Sequence, residues 1–233
     1  MIVTIIIPVY NEQNTIRRII EKVKLAKLPP GFSRELIVVN DASSDKTSSI
    51  IKSLKIKTID HGCNQGKGAA IITGVSKARG DLLLIQDADL EYNPQDYIRL
   101  LAPFQNNDVS VVYGSRLVNY PLVLWGENKT PMPIHWMANK FLTLLTNLLY
   151  GNSVTDMETG YKVIRAHLFK SLNIQAKKFD FEPEVTAKIL KRKIRIHEIP
   201  IKVEPRSYAD GKKIGWKDGL SAVWTLFKYR FAD

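Results

Sequence analysis

The 233-residue chain is expected to fold as an α/β protein, a mainly parallel sheet flanked by helices, with amphipathic helices toward its C-terminus. Three observations carry that expectation. Short apolar, β-branched runs alternate with stretches of helical periodicity four times within the first ninety residues, and such alternation builds parallel strands with right-handed crossovers. The run Leu82–Ile85 is wholly apolar and passes at once into Gln86-Asp87-Ala88-Asp89-Leu90-Glu91, the pattern of a buried strand ending in a charged loop. No internal repeat, low-complexity segment or linker divides the chain, so one domain is expected over residues 1–233.

The elements follow in order. Ile2–Val9 reads as the first strand, with the polar loop Tyr10-Asn11-Glu12 at its end. Asn14 or Thr15 is positioned to cap a helix whose apolar residues Ile16, Ile19, Ile20 and Val23 recur at helical spacing, and Pro29-Pro30-Gly31 stops it. Residues 36–39 form a second strand, and Asp45 caps a helix running to Leu54. Residues 56–59 make a short third strand. Asn64-Gln65-Gly66-Lys67-Gly68 leads into a helix that ends at Gly80. Beyond the acidic loop, Pro94 starts a helix and residues 109–113 form a strand ending in Gly114-Ser115-Arg116. Residues 119–133 read as a loop and 134–150 as a strongly apolar helix. The polar loop 155–161 is followed by helices near 166–172 and 182–191, a strand over 194–203, and a basic, aromatic-bearing helix over 215–231.

Composition narrows the partners. The formal net charge of +11 calls for an anionic one: nucleic acid, a phosphorylated small molecule or an acidic membrane surface. Cys63 is the only cysteine, so no internal disulfide forms. The N-terminus has neither a basic lead-in nor a small-residue cleavage site, which fits a first strand and not a signal peptide. No window reaches the roughly 18–20 apolar residues that span a bilayer, so membrane contact is expected to be peripheral. His61, His135, His167 and His197 are dispersed without metal-ligand spacing.

Ligands in open α/β sheets bind beyond the carboxyl ends of the strands. Four loops fall there: 8–12, 40–45, 64–68 and 87–91. Asp87 and Asp89 lie two apart, so an extended chain would turn both carboxylates to one side, with Glu91 continuing the alternation. Converging carboxylates need a cation, and oxygen ligands suit a hard ion, Mg²⁺ or Mn²⁺, whose shell a substrate phosphate completes. Gly66 and Gly68 permit close backbone approach, and Lys67 offers a cation for phosphate or a polar edge for a base. Neither a P-loop nor a glycine-rich dinucleotide fingerprint is present.

The set Pro8-Val9-Tyr10-Asn11-Glu12, Val39-Asn40-Asp41-Ala42-Ser43-Ser44-Asp45, Asn64-Gln65-Gly66-Lys67-Gly68 and Asp87-Ala88-Asp89 closely resembles family 2 glycosyltransferases of the GT-A fold, a Rossmann-like sheet. The likeness continues into the dolichyl- or polyprenyl-phosphate mannosyltransferase branch through Gly114-Ser115-Arg116, Thr155-Asp156-Met157-Glu158-Thr159-Gly160, Phe181-Glu182-Pro183-Glu184 and the run from Ile199-Pro200 through Arg206 to Gly211-Lys212-Lys213. It implies a nucleotide-sugar-binding half over 1–116 and an acceptor-binding half over 117–233. Pro8, Tyr10, Glu12 and Asp41 would hold the nucleoside, with Lys67, Asp87 and Ala88 beside it. Asp89 and Glu91 would hold the divalent metal on the diphosphate. Arg116 and Arg206 would meet phosphates, one on the acceptor side and one on the donor diphosphate, with Lys140, Lys129, Lys212 and Lys213 adding positive charge for the acceptor.

Chemistry separates the acceptor classes. Sugar transfer leaves negative charge on the departing diphosphate, which a divalent metal and nearby cations stabilise. A phosphate monoester, with its second pKa near 6, is already an anionic nucleophile and needs positioning by cations but no general base. A sugar hydroxyl needs a base within reach, and Asp156 or Glu158 is the candidate. The resemblance, taken with this chemistry, implies inverting transfer of a hexose, mannose or glucose, from GDP or UDP to a polyprenyl phosphate on the cytoplasmic face of a membrane. The lipid would be recruited at the surface or through a partner membrane protein, with helices 136–150 and 216–231 in the headgroup layer. The rivals are transfer to a soluble hydroxyl with Asp156 as base, nucleotidyl transfer, and nucleic-acid binding. Tyr10-Asn11-Glu12-Gln13-Asn14 is not the glycine-rich basic loop that nucleotidyl transfer calls for, and the acids of 87–91 argue against nucleic acid.

Overall fold

The computed structural model describes residues 1–118, 123, 130, 132–204 and 215–232. Arg206, Lys129, Lys212 and Lys213 lie outside the described residues, as does nearly all of the 119–131 segment. The chain runs β1 (Ile2–Val9), α1 (Ile16–Leu25), β2 (Ser33–Asn40), α2 (Thr47–Ser53), β3 (Thr58–Asp60), α3 (Lys67–Ser76), β4 (Leu82–Ile85), α4 (Tyr97–Leu101), β5 (Val111–Ser115), α5 (Pro133–Tyr150), β6 (Lys162–Arg165), α6 (Ala166–Ser171), α7 (Phe181–Lys191), β7 (His197–Pro200) and α8 (Trp216–Phe231).

The strands form one seven-stranded sheet in the order β3-β2-β1-β4-β6-β5-β7. β1 pairs in parallel with both β2 and β4, β2 with β3, and β5 with β7. β6 alone runs antiparallel, between β4 and β5. Strand periodicity divides the core between the two faces. Val3, Ile5, Ile7 and Val9 of β1 pack with α1 and α4 through Ile16, Ile19, Ile20, Tyr97 and Leu100. Ile6 turns the other way, toward Ala70, Ile71 and Val75 of α3 and the layer that includes Val185 and Ile189 of α7. Burying each such isoleucine contributes about 1.5–3 kcal/mol. A third cluster, Leu142, Met157, Ala187, Ala222, Leu226 and Tyr229, fastens α5 and α8 onto α7.

Several local expectations change. Thr15 does not cap α1; its hydroxyl donates to Glu12 Oε2 at 2.8 Å, and α1 has no side-chain cap bond. Asp45 does tie down the start of the next helix, its Oδ1 accepting from Thr47 N at 2.9 Å. The third strand slides to Thr58–Asp60, where it finds its register on β2. Pro94 opens a 3₁₀ turn capped by Asn93 before α4 begins. The expected strand over 194–203 shortens to β7, with Val203 making an isolated bridge to Tyr92. β6 falls where the polar loop was expected to pass straight into a helix.

Candidate active site

The carboxyl ends of β1, β2, β3 and β4 carry the four expected loops to one edge of the sheet, and those loops interlock. Asn11 N donates to Ser43 Oγ, and Asn11 Oδ1 accepts from Ser44 N at 2.8 Å. Glu12 N donates to Thr47 Oγ1 at 2.8 Å. Asn11 and Ala42 both take positive φ, 52° and 58°, so each loop turns sharply off its strand. Pro8 stays inside β1, in register with Val39, and Ala88 is buried; Tyr10 is the exposed member of the first loop.

Asp41 is only 3% exposed, and its carboxylate fastens the third loop. Oδ1 accepts from Gln65 N at 2.9 Å and meets His61 Nδ1 at 2.7 Å, while Oδ2 accepts from Gly66 N at 2.7 Å. His61 Nε2 reaches Thr73 Oγ1 of α3 at 2.9 Å. The close approach that Gly66 and Gly68 permit is to the chain itself, because a Cβ at Gly66 would strike the backbone of Lys177 and one at Gly68 that of Ala176 and Lys177. Gly66, at φ 100°, also sits where a side chain is strained.

Lys67 is likewise spoken for. Its Nζ lies 2.8 Å from Asp87 Oδ1 and 2.8 Å from Glu182 Oε1 of α7. Burial alone would weaken the ammonium, but the two carboxylates hold its pKa well above the ordinary lysine value. Lys67 thus bridges the acidic loop to α7 instead of standing open to a phosphate.

The acidic loop is a turn and not an extension of β4. The strand ends at Ile85, Leu90 takes φ 68°, and Glu91 N donates back to Asp89 Oδ1 at 3.1 Å. Period-two alternation therefore does not carry Asp87, Asp89 and Glu91 to one side; Asp87 turns to Lys67. Among the described residues no three His, Cys, Asp or Glu side chains gather to hold a metal. Asp89 and Glu91, close in one turn and offering only oxygen, suit a hard divalent ion that takes one or two carboxylates and draws the rest of its shell from water and a diphosphate.

At the end of β5, Arg116 forms a two-pronged pair with Asp156. Nε donates to Oδ2 at 2.7 Å and Nη2 to Oδ1 at 2.8 Å, and Arg116 N also donates to Oδ2 at 2.9 Å. Asp156 is fully buried, yet the guanidinium holds its carboxyl below the usual aspartate range against the desolvation that would raise it. The loop 155–160 is tied down on both sides. Glu198 of β7 accepts from Thr155 N at 2.9 Å and from Asp156 N at 3.2 Å, and Gly160 N donates to Tyr92 Oη at 2.8 Å. A Cβ at Gly160 would press on Asp87 Oδ2, so this loop lies directly against the acidic one. Lys140 Nζ reaches Leu117 O at 3.4 Å, next to Arg116.

The structure thus ties Lys67 to Asp87, sets the loop 155–160 against Asp87, pairs Arg116 with Asp156 and brings Lys140 to Leu117 O. Glu182, Lys162 and Glu198 also belong to this network, and sequence reasoning assigned them no role. Glu182 sat in a quoted stretch, Phe181-Glu182-Pro183-Glu184, while Lys162 carried no signal because it lies in an ordinary β-branched run.

A seven-stranded sheet of this order, with an acidic turn beyond β4 and an arginine beyond β5, is a GT-A fold. The profile of "Glycosyl transferase family 2" matches residues 4–172, and the chain belongs to that family and is a glycosyltransferase. UDP-N-acetylglucosamine–dolichyl-phosphate N-acetylglucosaminyltransferase of Methanococcus voltae is 29% identical over 97% of this chain and 94% of its own length. A dolichyl-phosphate beta-glucosyltransferase of Trichomonas vaginalis is 28% identical over 85% of this chain and 62% of its own length. Among solved structures, glucosyl-3-phosphoglycerate synthase of Mycobacterium tuberculosis, crystallised with Mn²⁺, UDP and phosphoglyceric acid, superposes with a TM-score of 0.75. It is 17% identical, with 99% of this chain and 79% of that one covered, a likeness of fold.

Proposed function

We propose that this glycosyltransferase moves a hexose or N-acetylhexosamine, with inversion, from a nucleoside diphosphate to a polyprenyl phosphate at a membrane surface. The observation that carries the acceptor is the Arg116–Asp156 pair. Asp156 has given its lone pairs to Arg116, so it orients a cation and does not serve as a base. A site that presents an oriented guanidinium suits an acceptor that brings its own negative charge. The curated relatives, named for dolichyl-phosphate acceptors, support the same choice, and the UDP-linked sugar in one of those names favours UDP over GDP.

Each residue then has a task. Asp89 and Glu91 hold the divalent ion, Mg²⁺ or Mn²⁺, which when bound neutralises charge on the leaving diphosphate. Tyr10 and Glu12 face the nucleoside, with Pro8, Asp41 and Ala88 shaping the floor beneath it. Lys67 fixes Asp87 through their ion pair. Arg116 receives the acceptor phosphate, Lys140 adds charge beside it, and Arg206 and Lys212 are assigned to the donor and acceptor phosphates from the family resemblance. The acceptor phosphate attacks the anomeric carbon from the face opposite the diphosphate, and one in-line displacement inverts the centre.

The membrane assignment rests on two exposed stripes. Ile134, Met137, Phe141, Leu144 and Leu148 of α5 are all more than half exposed, and they repeat at spacings of three and four. Trp216, Leu220, Trp224, Phe227 and Phe231 line α8 in the same way. The helices lie together, with Tyr150 Oη donating to Leu226 O at 2.8 Å and Arg230 Nε to Leu149 O at 2.7 Å. Tyr229, expected on the aromatic face, instead turns inward and is 5% exposed. Lys217, Lys228 and Arg230 flank the stripe, as interfacial helices require. No helix among the described residues is long and apolar enough to cross a membrane.

The assignment is tested by incubating the purified protein with Mg²⁺ or Mn²⁺, a polyprenyl phosphate and labelled UDP-N-acetylglucosamine, UDP-glucose or GDP-mannose in turn. Label passing into the organic phase with one donor is the expected result. Metal-dependent transfer only to a saccharide would overturn the lipid acceptor. The membrane contact has its own check. The double change Leu144→Glu and Trp224→Glu is expected to weaken co-sedimentation with phosphatidylglycerol vesicles by about tenfold or more, since it removes apolar surface and adds repulsion. Unchanged vesicle binding would send these stripes to a protein interface instead.

A further inference from the structure

Glu158 lies in the loop 155–160, two residues from Asp156, yet nothing described so far uses it. Its Oε1 is buried and, among the described residues, is a side-chain oxygen with no hydrogen-bond partner. Such an atom costs stability unless something arrives to bond it. The groups around it are all placed. Lys162 Nζ, from β6, donates to the carbonyls of Met157 and Thr159, the residues on either side of Glu158. That ammonium also stands 4.6 Å over the Tyr113 ring. Glu182 of α7 faces Glu158 but is already held by Lys67. Arg116, beyond β5, faces it with both prongs engaged by Asp156. The neighbours therefore act on Glu158 through charge while leaving its buried Oε1 without a hydrogen bond.

We propose that Glu158 is a further substrate-contacting residue, hydrogen-bonding an oxygen of the acceptor phosphate beside Arg116. This rests on the phosphate-acceptor reading. A carboxylate would repel that phosphate, so the bond is made by the neutral acid, whose O–H donates to it. The surroundings favour that form. Burial and the negative charge of Glu182, with a smaller push from Asp156, outweigh Lys162 and Arg116 and lift the Glu158 carboxyl to about 7. Burial also draws Lys162 down to about 8, against the pull of Glu182, Glu158 and Asp156. A phosphate arriving nearby raises the carboxyl further, since like charge disfavours ionisation. The sequence alone offered Glu158 as a base for a hydroxyl acceptor; the two roles need opposite protonation states, which makes them separable.

The test measures binding of geranyl phosphate by calorimetry from pH 6 to 9, and lipid-linked product in parallel, for the wild type, Glu158→Gln and Glu158→Ala. Glutamine is a permanently neutral hydrogen-bond donor of the same shape. Binding is expected to weaken in the wild type as pH rises above about 8, to persist across the range in Glu158→Gln, and to fall by about 10- to 100-fold in Glu158→Ala. UDP binding should be unchanged in all three, which a collapsed loop would not allow. Loss of both binding and transfer in Glu158→Gln equal to that in Glu158→Ala would overturn the proposal in favour of a base or a structural role. So would wild-type affinity in Glu158→Ala, or no binding of geranyl phosphate by the wild type. If geranyl phosphate binds as described but no sugar is transferred, the phosphate contact stands and the transferase assignment to lipid falls.

Discussion

Arg116→Ala is expected to lower the folding stability by about 3–5 kcal/mol and to reduce transfer by about a hundredfold or more. The stability loss follows from what remains: Asp156, fully buried, would keep a charge whose three donors all came from Arg116. Only the backbone donor of residue 116 survives the change, and breaking a buried pair from one side costs more than the pair itself contributes. The loss of transfer follows from removing the cation assigned to the acceptor phosphate. The double change Arg116→Met with Asp156→Leu separates the two effects. It removes both charges, so thermal denaturation should recover most of the lost stability while activity stays absent. Activity returning with stability would deny Arg116 any part beyond holding the loop.

Asp89→Ala should have the opposite profile. Asp89 is partly exposed in a turn, where its Oδ1 accepts from Glu91 N at 3.1 Å. Its removal is expected to shift the melting temperature by only a few degrees. Transfer, however, should fall by about a thousandfold, because the charge on the departing diphosphate would lose the support that the divalent ion supplies. Mn²⁺ binding in the presence of UDP, followed by calorimetry, should disappear together with activity. A variant that keeps metal-dependent UDP binding would move the ligand role to Glu91 and other residues.

The first half of the chain was legible because its information is local. β1, β2 and β4 each contain an apolar run, and each is followed by a loop whose polar residues stand together in sequence. The tasks of those residues were less legible, because they depend on partners far along the chain. Lys67 resembled a phosphate ligand until Glu182, 115 residues on, was seen to share it. Asp41 resembled a contact for the nucleoside, and nothing near it in sequence shows that its oxygens also hold Gln65 and Gly66. Asp87 and Asp89 resembled neighbours on an extended strand, but β4 ends at Ile85 and the chain turns at residues 88–89. The strand β6 left almost no trace, being four residues, Lys-Val-Ile-Arg, with a lysine buried at its start. That lysine is tolerable only because the loop before it folds its own carbonyls onto the ammonium, an arrangement no window of residues displays.

The place of β6 bears on how the chain is made. Leu84 of β4 pairs with Val163, and Val112 of β5 pairs with the same Val163 from the other side. During translation β4 and β5 leave the ribosome with a gap between them, and α5 must follow before the strand that fills it. Until then both present open, apolar edges, the condition in which nascent chains recruit chaperones or aggregate. A fragment ending at Arg116 should accordingly show no cooperative melt, whereas the whole chain should melt in one transition. Residues 1–116 and 117–233 thus share one sheet, and a cut between them would part β4 and β5 from the strand that joins them.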